Sequence, residues 1–541
     1  MKHRFLGSVV AAALISTTVM AEGTMLQRFE AMEKEMNALK AELANMKAEK
    51  SAPAEKATPS KIKIAVEDDE DDVKPAKATS GKIKIAVEKD DDQKSIPEQL
   101  EDIHDQLSTL NKRTNGNNLK LGVDFRTSVD NINYKMADGT KQKNDALFSN
   151  RLWLNMNYAA TKNLSFTGQL AYNKLFGQRS TLPTSSTGMD GFDWVSSEAA
   201  HNDTLRVRSA YFYYQDDEFL GMDIPWTLSI GRRPSTNGHL INLRDDDAAS
   251  SPLAHTVNVE FDGASAKFGM EELTGLNGSY FKLCAGRGMS NAEPRFSSAP
   301  YSGQDATTNN VDMIGIIVVP YDDKQYSVGM QYTYANNLID TNSSAFLQNG
   351  AQNTAYTPNM ETVGGLHTAT AFAMVNGIGN GWSEFLDDTT FFISGAMSKT
   401  DPYTKAQGML GSDKSQTGYS YWIGTQFPSL VSDEGRWGVE FNHGSQYWRP
   451  ITYGEDTMIG SKLAARGNAY ELYFTEPLVD DILTFQLRYT YIDYDYTGSN
   501  GFFGGNSGTP MAIGNVPAGT DMQRNVVDKA QDIRAYIRYK F

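Results

Sequence analysis

A group of arginines and a nearby run of aspartates are the charged residues of this chain that could act together on a ligand or an ion. Arg206 and Arg208 lie two residues apart and so share one face of an extended strand. The opposite face of that strand is predicted to carry Leu205, Val207 and Tyr211. Arg233 ends the next strand candidate, and Arg244-Asp245-Asp246-Asp247 follows in the long loop after it. An acidic loop facing a basic wall would create an electric field that acts on passing ions.

A plainer alternative stays open for the same residues. Asp245, Asp246 and Asp247 can form a solvated loop tip, while the arginines pair with neighbouring acids. More arginines on the same side of their strands would add positive charge: Arg126, Arg151, Arg488, Arg534 and Arg538. The acids best placed to neutralise them are Asp124, Glu440, Glu471 and Asp532.

Catalytic and metal chemistry have little support in the sequence. The seven histidines show no metal-ligand spacing, so we predict no metal site and no cofactor. His443 and Ser445 lie close together, as a lipase would need, but no orienting partner is evident. We therefore predict no enzyme activity and no catalytic residue. The net charge of −16 argues against a nucleic-acid partner.

In the segments that carry these charged residues, apolar and polar residues alternate with a period of two, as they do in β-strands. From residue 118 onward apolar and polar residues alternate, as in Leu152-Trp153-Leu154-Asn155-Met156 and again after a turn at 161–163. A wall with one apolar and one polar face suits lipid outside and water inside. We count sixteen strand candidates, of which 257–268 and 278–286 are the weakest, so fourteen or eighteen strands remain alternatives.

The connections favour the same architecture. Alternate links are mostly long, including those predicted at 130–146 and 234–256, whereas the intervening links are shorter. This asymmetry is typical of outer-membrane barrels. We predict an all-β transmembrane barrel of about sixteen antiparallel strands over residues 118–541, with a water-filled lumen.

The last strand alternates in the same way up to the terminal aromatic residue. Ile533, Ala535 and Ile537 share one face with Tyr539 and Phe541. The segment resembles the C-terminal signal by which the outer-membrane barrel assembly machinery recognises its clients. To close the barrel, this strand must pair with the first strand.

The residues before the barrel predict a different kind of structure. Residues 1–21 read as a secretory signal peptide. Heptad spacing predicts a coiled coil in 22–50 and a second segment in 96–112, which favours a homotrimer. Between them, 51–95 form a charged linker in which Lys-Ile-Lys-Ile-Ala-Val-Glu occurs twice. A single cysteine, Cys284, excludes an intramolecular disulfide.

Several barrel segments together resemble a family. They are Gly231-Arg232-Arg233-Pro234, Asn258-Val259-Glu260-Phe261-Asp262-Gly263, Glu440-Phe441-Asn442-His443-Gly444-Ser445-Gln446-Tyr447-Trp448 and Arg488-Tyr489-Thr490-Tyr491-Ile492-Asp493-Tyr494. The chain resembles an uncharacterised family of Gram-negative outer-membrane β-barrel proteins regarded as porins, a domain of unknown function. No substrate is implied by the resemblance, and the N-terminal tail lies outside it.

Together these patterns predict a channel for passive diffusion of small hydrophilic solutes or ions. It would lie in the outer membrane of a Gram-negative bacterium, with the N-terminal tail in the periplasm. Its expected partners are outer-membrane lipid and lipopolysaccharide, the assembly machinery and two further copies of the chain. The alternatives are a structural anchor that contacts the cell wall through the tail and, less favoured, an adhesin that uses the long loops.

Overall fold

The structure is a computed structural model that describes residues 61–63, 86–88, 119–177, 205–290, 309–341, 360–379, 381–403, 408–452, 456–499 and 509–541. Two units are distinguished, Met1–Leu110 and Asn111–Phe541. In the first unit, Lys61–Lys63 of the first repeat copy pairs antiparallel with Ala86–Glu88 of the second. The predicted signal peptide and both predicted coiled coils lie outside the described residues.

The second unit contains a closed barrel of sixteen antiparallel strands, each paired with its neighbours in the chain. The strands are β1 Leu119–Met136, β2 Lys141–Ala159, β3 Leu164–Leu175, β4 Arg206–Asp216, β5 Trp226–Ser235, β6 Val257–Gly269, β7 Tyr280–Met289, β8 Val311–Asp322, β9 Tyr326–Thr341, β10 Met360–Asn376, β11 Thr390–Pro402, β12 Thr417–Pro428, β13 Arg436–Gly444, β14 Gly467–Val479, β15 Leu483–Tyr494 and β16 Val527–Lys540. The predicted count of sixteen is confirmed.

Helices are few and short beside this wall. Those next to the strands are α1 Glu271–Thr274, α2 Glu384–Asp387 and α3 Asp521–Asn525. In the part of the chain that the structure describes, no helix has both the length and the apolar character needed to span a membrane.

Alternation of side chains along each strand gives the wall two different faces. On β1, Leu121 is 68% exposed on the outer face, whereas Arg126 and Asp130 are buried on the inner face. Large apolar residues are exposed on the outer face of other strands too, for example Ile314 and Ile393. The wall is therefore apolar outside and polar inside, as its period of two predicts.

The first and last strands close the barrel. β16 pairs antiparallel with β1 in a register that sets Tyr539 opposite Phe125. Beyond β16, the amide of Phe541 donates to the carbonyl of Val123 at 2.8 Å, and the amide of Val123 donates to Phe541 at 2.7 Å. The predicted pairing of the last strand with the first is confirmed.

The first long link predicted from the sequence is wrong. β1 and β2 continue through most of 130–146 and are joined only by residues 137–140. The ladder persists because alternation continues, with Ile132 and Met136 buried on the inner face and Lys135 paired with Lys141. By contrast, the two weakest strand candidates are real strands, β6 and β7.

Tyr211 lies on the other face from the one predicted. β4 and β3 pair with a register shift at Gln169/Leu170 that leaves Arg208 without a directly opposed residue. After such a bulge the alternation of faces is displaced by one residue. Arg208 therefore stays inside, and Tyr211 is inside as well, where Arg233 lies over its ring at 5.3 Å.

Two connections fold into the barrel. Loop 3 comprises residues 236–256 between β5 and β6, and loop 7 comprises residues 445–466 between β13 and β14. Their apolar residues pack with the inner wall in one buried cluster of Leu240, Ile241, Leu253, Ala254, Phe372, Phe392, Trp422 and Leu463. At the height of the barrel where this cluster lies, the two loops fill much of the interior. The sequence predicted a water-filled lumen there.

Candidate functional site

Loop 3 reaches across the lumen to the opposite wall. Arg244 is 1% exposed, and its Nη1 donates to Oε1 of Glu471 on β14 at 3.1 Å. Gln486 on β15 donates to the carbonyl of Arg244 at 2.8 Å. Gln426 on β12 donates to the carbonyl of Leu243 at the same distance. Loop 3 is thus fixed by side chains from three strands that are far from its own ends.

The acidic run of loop 3 meets the basic wall by direct contact. The hydroxyl of Tyr536 donates to Asp245 at 2.8 Å. Asp247 accepts from Arg538 at 3.0 Å and from Lys540 at 2.6 Å. Asp246 is exposed. Burial opposes the ionised form of Asp245, but Arg244 and the other neighbouring arginines outweigh it and lower the pKa of Asp245 to about 2.

Loop 7 contributes a carboxylate that binds several wall arginines. Both oxygens of Asp456 accept from Arg126, at 2.5 and 2.6 Å. Arg534 lies 3.3 Å and Arg488 3.8 Å from the same carboxylate. Each of these two arginines also donates to the carbonyl of Asp456 at 2.6 Å. Although burial opposes ionisation, Arg126 and its neighbours keep the pKa of Asp456 well below its usual range.

A lysine of loop 7 completes the network. Lys462 is buried and donates to Glu440 on β13 at 2.6 Å and to Glu471 on β14 at 2.5 Å. Glu471 therefore joins Lys462 of loop 7 to Arg244 of loop 3. Since both loops bind one wall carboxylate, their positions are coupled.

The wall also carries ion pairs of its own. Arg538 donates to Asp124 at 2.6 Å, and Arg151 lies 3.5 Å from the same carboxylate. Arg534 is paired with Asp130. Buried charges need such partners because leaving water costs each of them several kcal/mol.

The residues predicted as pore-lining fall into three sets. One set forms the network shared by both loops and the wall: Arg126, Arg488, Arg534, Arg538, Asp245 and Asp247. A second set lies along β2 and β4, where Arg151 and Arg208 stack on Trp153 at 3.6 and 4.2 Å and Arg206 is half-buried. Arg208 also pairs with Glu260 at 3.1 Å. Arg233 and Asp246 lie outside both sets.

Several members of the network were missed by reasoning from sequence. Asp456 and Lys462 lie in loop 7, where no period indicates which way a side chain points. Asp130 and Glu260 lie on strands, and their alternation could have placed them inside with Arg126 and Arg208. Three of the counter-ions that the sequence suggested make ion pairs: Asp124 with Arg538, Glu471 with Arg244, and Glu440 with Lys462.

Histidines serve as structural contacts in this region. His255 of loop 3 is buried between the hydroxyls of Ser394 and Ser420, at 2.8 and 2.9 Å from its two ring nitrogens. Burial lowers the pKa of His255 to about 3. His443 is bonded to Asn468, and Ser445 accepts from the amide of Tyr419. Within the described residues, no group of three or more His, Cys, Asp or Glu side chains is placed to hold a metal ion.

A large cavity lies beside loop 3, toward the chain ends of the barrel. This vestibule has a volume of about 740 Å³ and is lined by the start of β1, the end of β16 and the inner faces of several other strands. Its basic residues are Lys120, Arg208, Arg233, Lys282, Arg538 and Lys540. Basic side chains therefore line this open space, and some of them, such as Arg208 and Arg538, are themselves in ion pairs.

Solved structures that resemble this chain are outer-membrane proteins. The anion-selective porin from Comamonas acidovorans is 12% identical, with 78% of this chain and 99% of that chain covered and a TM-score of 0.41. OprB of Pseudomonas putida is 12% identical, with 81% and 97% covered and a TM-score of 0.42. OmpT, an outer membrane protein of Vibrio cholerae, is 10% identical, with 78% and 97% covered and a TM-score of 0.40.

Sequence comparison identifies the family. No curated protein matches the chain. One family model, described as a protein of unknown function, matches residues 141–541, which includes every barrel strand except β1. The chain therefore belongs to the DUF3373 family.

Proposed function

We propose that this protein is a channel of the Gram-negative outer membrane through which small hydrophilic solutes or ions diffuse. The observation that carries the proposal is the closed sixteen-strand wall with an apolar outer face and a charged inner face. Such a wall satisfies its backbone hydrogen bonds within the membrane and offers lipid an apolar surface. Charged side chains on the inner face do not contact lipid, and they suit the passage of water and solutes.

Loop 3 and loop 7 would form the constriction of this channel. Both contact the inner wall through buried ion pairs, so the space left for solutes at their level is small. The residues proposed to set selectivity, at the constriction and along the wall beside it, are those predicted from sequence: Arg126, Arg151, Arg206, Arg208, Arg233, Arg488, Arg534, Arg538, Asp245, Asp246 and Asp247. We expect only small solutes to pass.

A liposome-swelling experiment tests this proposal. Vesicles containing the purified protein should swell in arabinose and swell more slowly in larger sugars, because the constriction excludes solutes by size. The D245N/D247N variant should pass the larger sugars faster, since the contacts of loop 3 with Arg538 and Lys540 are weakened. The D528N variant is the control, as its partner Lys135 is exposed on the surface. Vesicles impermeable to every sugar would contradict the proposal.

The burial of the central charges favours a second candidate, a structural anchor. Arg488 and Arg534 are each 1% exposed, so the middle of the barrel is packed more like a protein core than a wide pore. In this function the barrel would anchor the tail in the periplasm, and the tail would contact the cell wall. Deleting residues 22–112 distinguishes the two functions, because a channel should still conduct whereas an anchor should lose envelope attachment.

We also propose a homotrimer, joined by the heptad segments of the tail. Chemical cross-linking of the full-length protein should give a three-subunit product. The variant without residues 22–112 should give less of it, because the heptad contacts are removed. Cross-linking that yields only monomers from the full-length protein would contradict this proposal.

A further inference from the structure

We infer that Arg233 and Lys282, on the wall of the vestibule, form a binding subsite for the carboxylate or phosphate group of a small anionic solute. This inference rests on the proposed channel function, which it deepens by naming a substrate class. Anion binding at these two residues does not require conduction, so the subsite and the channel function can be contradicted separately.

The two cationic groups face the same space. Arg233 on β5 and Lys282 on β7 both line the vestibule, and both also line a smaller cavity of about 30 Å³ behind it. Ser251 of loop 3 lines both cavities as well. An anionic group that enters from the vestibule would therefore meet a guanidinium, an ammonium and a hydroxyl together.

Within the part of the chain that the structure describes, no acidic side chain neutralises the positive charge at this point. Arg233 donates to the hydroxyl of Ser265, and Lys282 donates to that of Ser251, so both bind neutral oxygens. The Nε of Arg233 is buried and has no hydrogen-bond partner. Within the described residues, neither side chain forms an ion pair.

A neighbouring lysine adds to the positive charge at this point. Lys267 on β6 lies directly opposite Lys282 in the ladder, and like charges in that position destabilise a sheet. Of the other four basic residues of the vestibule, Arg208 is paired with Glu260 and both Arg538 and Lys540 are paired with Asp247. The fourth, Lys120, is exposed to solvent. The free positive charge is thus concentrated at Arg233 and Lys282.

The chemistry of these donors selects the ligand. Guanidinium and ammonium groups bind carboxylate and phosphate through short, charge-assisted hydrogen bonds. The vestibule volume of about 740 Å³ lies within the usual range for small-molecule sites. The aromatic ring of Tyr211 beside Arg233 offers an apolar contact to the remainder of the solute.

Two measurements on the full-length protein test the subsite. Inorganic phosphate and, separately, acetate are titrated into detergent-solubilised protein by calorimetry, and each is added to a planar bilayer to block the chloride current. The R233Q/K282Q variant should bind the preferred anion roughly tenfold more weakly for each charge lost. Its reversal potential in a KCl gradient should shift toward cation preference.

Controls separate the subsite from general charge effects. Lys162→Gln removes the same kind of charge from an exposed turn outside the vestibule and should leave binding unchanged. R233K/K282R keeps both charges and should retain binding, which shows that the neutral variant failed through lost charge and not misfolding. Equal anion binding by wild type and R233Q/K282Q would overturn the subsite while leaving the channel intact. A silent bilayer with normal anion binding would instead overturn the channel.

Discussion

At the scale of single residues, Asp456 is the carboxylate through which loop 7 joins the ion pairs of the wall. It is a loop carboxylate, yet it binds Arg126 through both oxygens and lies near Arg488 and Arg534. These three arginines lie on β1, β15 and β16, so a single side chain joins loop 7 to the strands on both sides of the barrel seam. Removing it would leave the buried guanidinium of Arg126 without its carboxylate partner and would take one carboxylate from Arg488 and Arg534.

The D456A variant should weaken the docking of loop 7. Breaking one side of a buried ion pair typically costs about 3–5 kcal/mol, because the remaining charge stays buried without a partner. We expect a lower unfolding temperature and faster proteolysis within loop 7. D528A is the matched control, because the Asp528–Lys135 pair is exposed and worth only about 1 kcal/mol or less. Equal effects of the two substitutions would contradict the role of Asp456.

At the scale of elements, loop 3 is held by polar contacts along its whole length. Arg244 binds Glu471 near the middle, and His255 lies between two wall serines near the end. Trp422 and Trp448 pack edge-on against the His255 ring. A neutral imidazole fits this site, since no carboxylate contacts it within the described residues.

Loop 3 should therefore lose docking stability in acid through His255. Burial lowers its pKa from 6.5 to about 3, so the contribution is complete above about pH 6.5 and is lost as the pH falls toward 3. At pH 4 the loss should be roughly 3 kcal/mol. Thermal unfolding between pH 7.5 and 4 measures it, and H255Q should flatten the dependence.

His367 supplies the control for this pH dependence. It is bonded to Tyr332 at an exposed position and does not touch loop 3, so H367Q should leave the docking of that loop intact. Asp245 and Asp456 also lose stabilisation in acid, but only below their ordinary pKa of 3.8, because their folded pKa values are lowered. Identical slopes for wild type and H255Q between pH 6.5 and 4 would contradict the prediction.

The seam between β1 and β16 supports a separate prediction. Phe541 makes two backbone hydrogen bonds with Val123, while its side chain is 75% exposed. Deleting Phe541 should reduce the amount of folded, heat-modifiable protein in the outer membrane, because both the seam and the proposed assembly signal are lost. F541A keeps the backbone bonds and separates the two effects. Normal assembly of both variants would rule out the assembly signal.

Alternation accounts for what the sequence could predict at this scale. It placed sixteen strands, the closing pair and the inward arginines, because side chains in a strand change face at every residue. It failed at Tyr211, where a bulge displaces the alternation. It also failed in 130–146, where the long extensions of two strands were predicted to be a loop. Alternation could not predict the contact between Arg126 and Asp456 of loop 7, because the two residues are separated by 330 positions and the loop has no period.

At the scale of the whole barrel, the interior contains two regions of different character. The level crossed by loop 3 and loop 7 is packed, with Trp422 and Trp448 fully buried beside the paired charges. The vestibule is open, and at Arg233 and Lys282 it carries positive charge that pairs with no acidic side chain of the described residues. Solutes in the vestibule would reach the constriction only past the residues that we propose to bind anions.

The central claim is that this barrel conducts, and single-channel recording of the purified full-length protein in a planar bilayer tests it most directly. We predict stepwise currents in KCl, with D456A giving larger steps than wild type because loop 7 is released from Arg126. Heat-modifiable protein that inserts into the membrane but gives no steps, in wild type and in D456A alike, would contradict the claim.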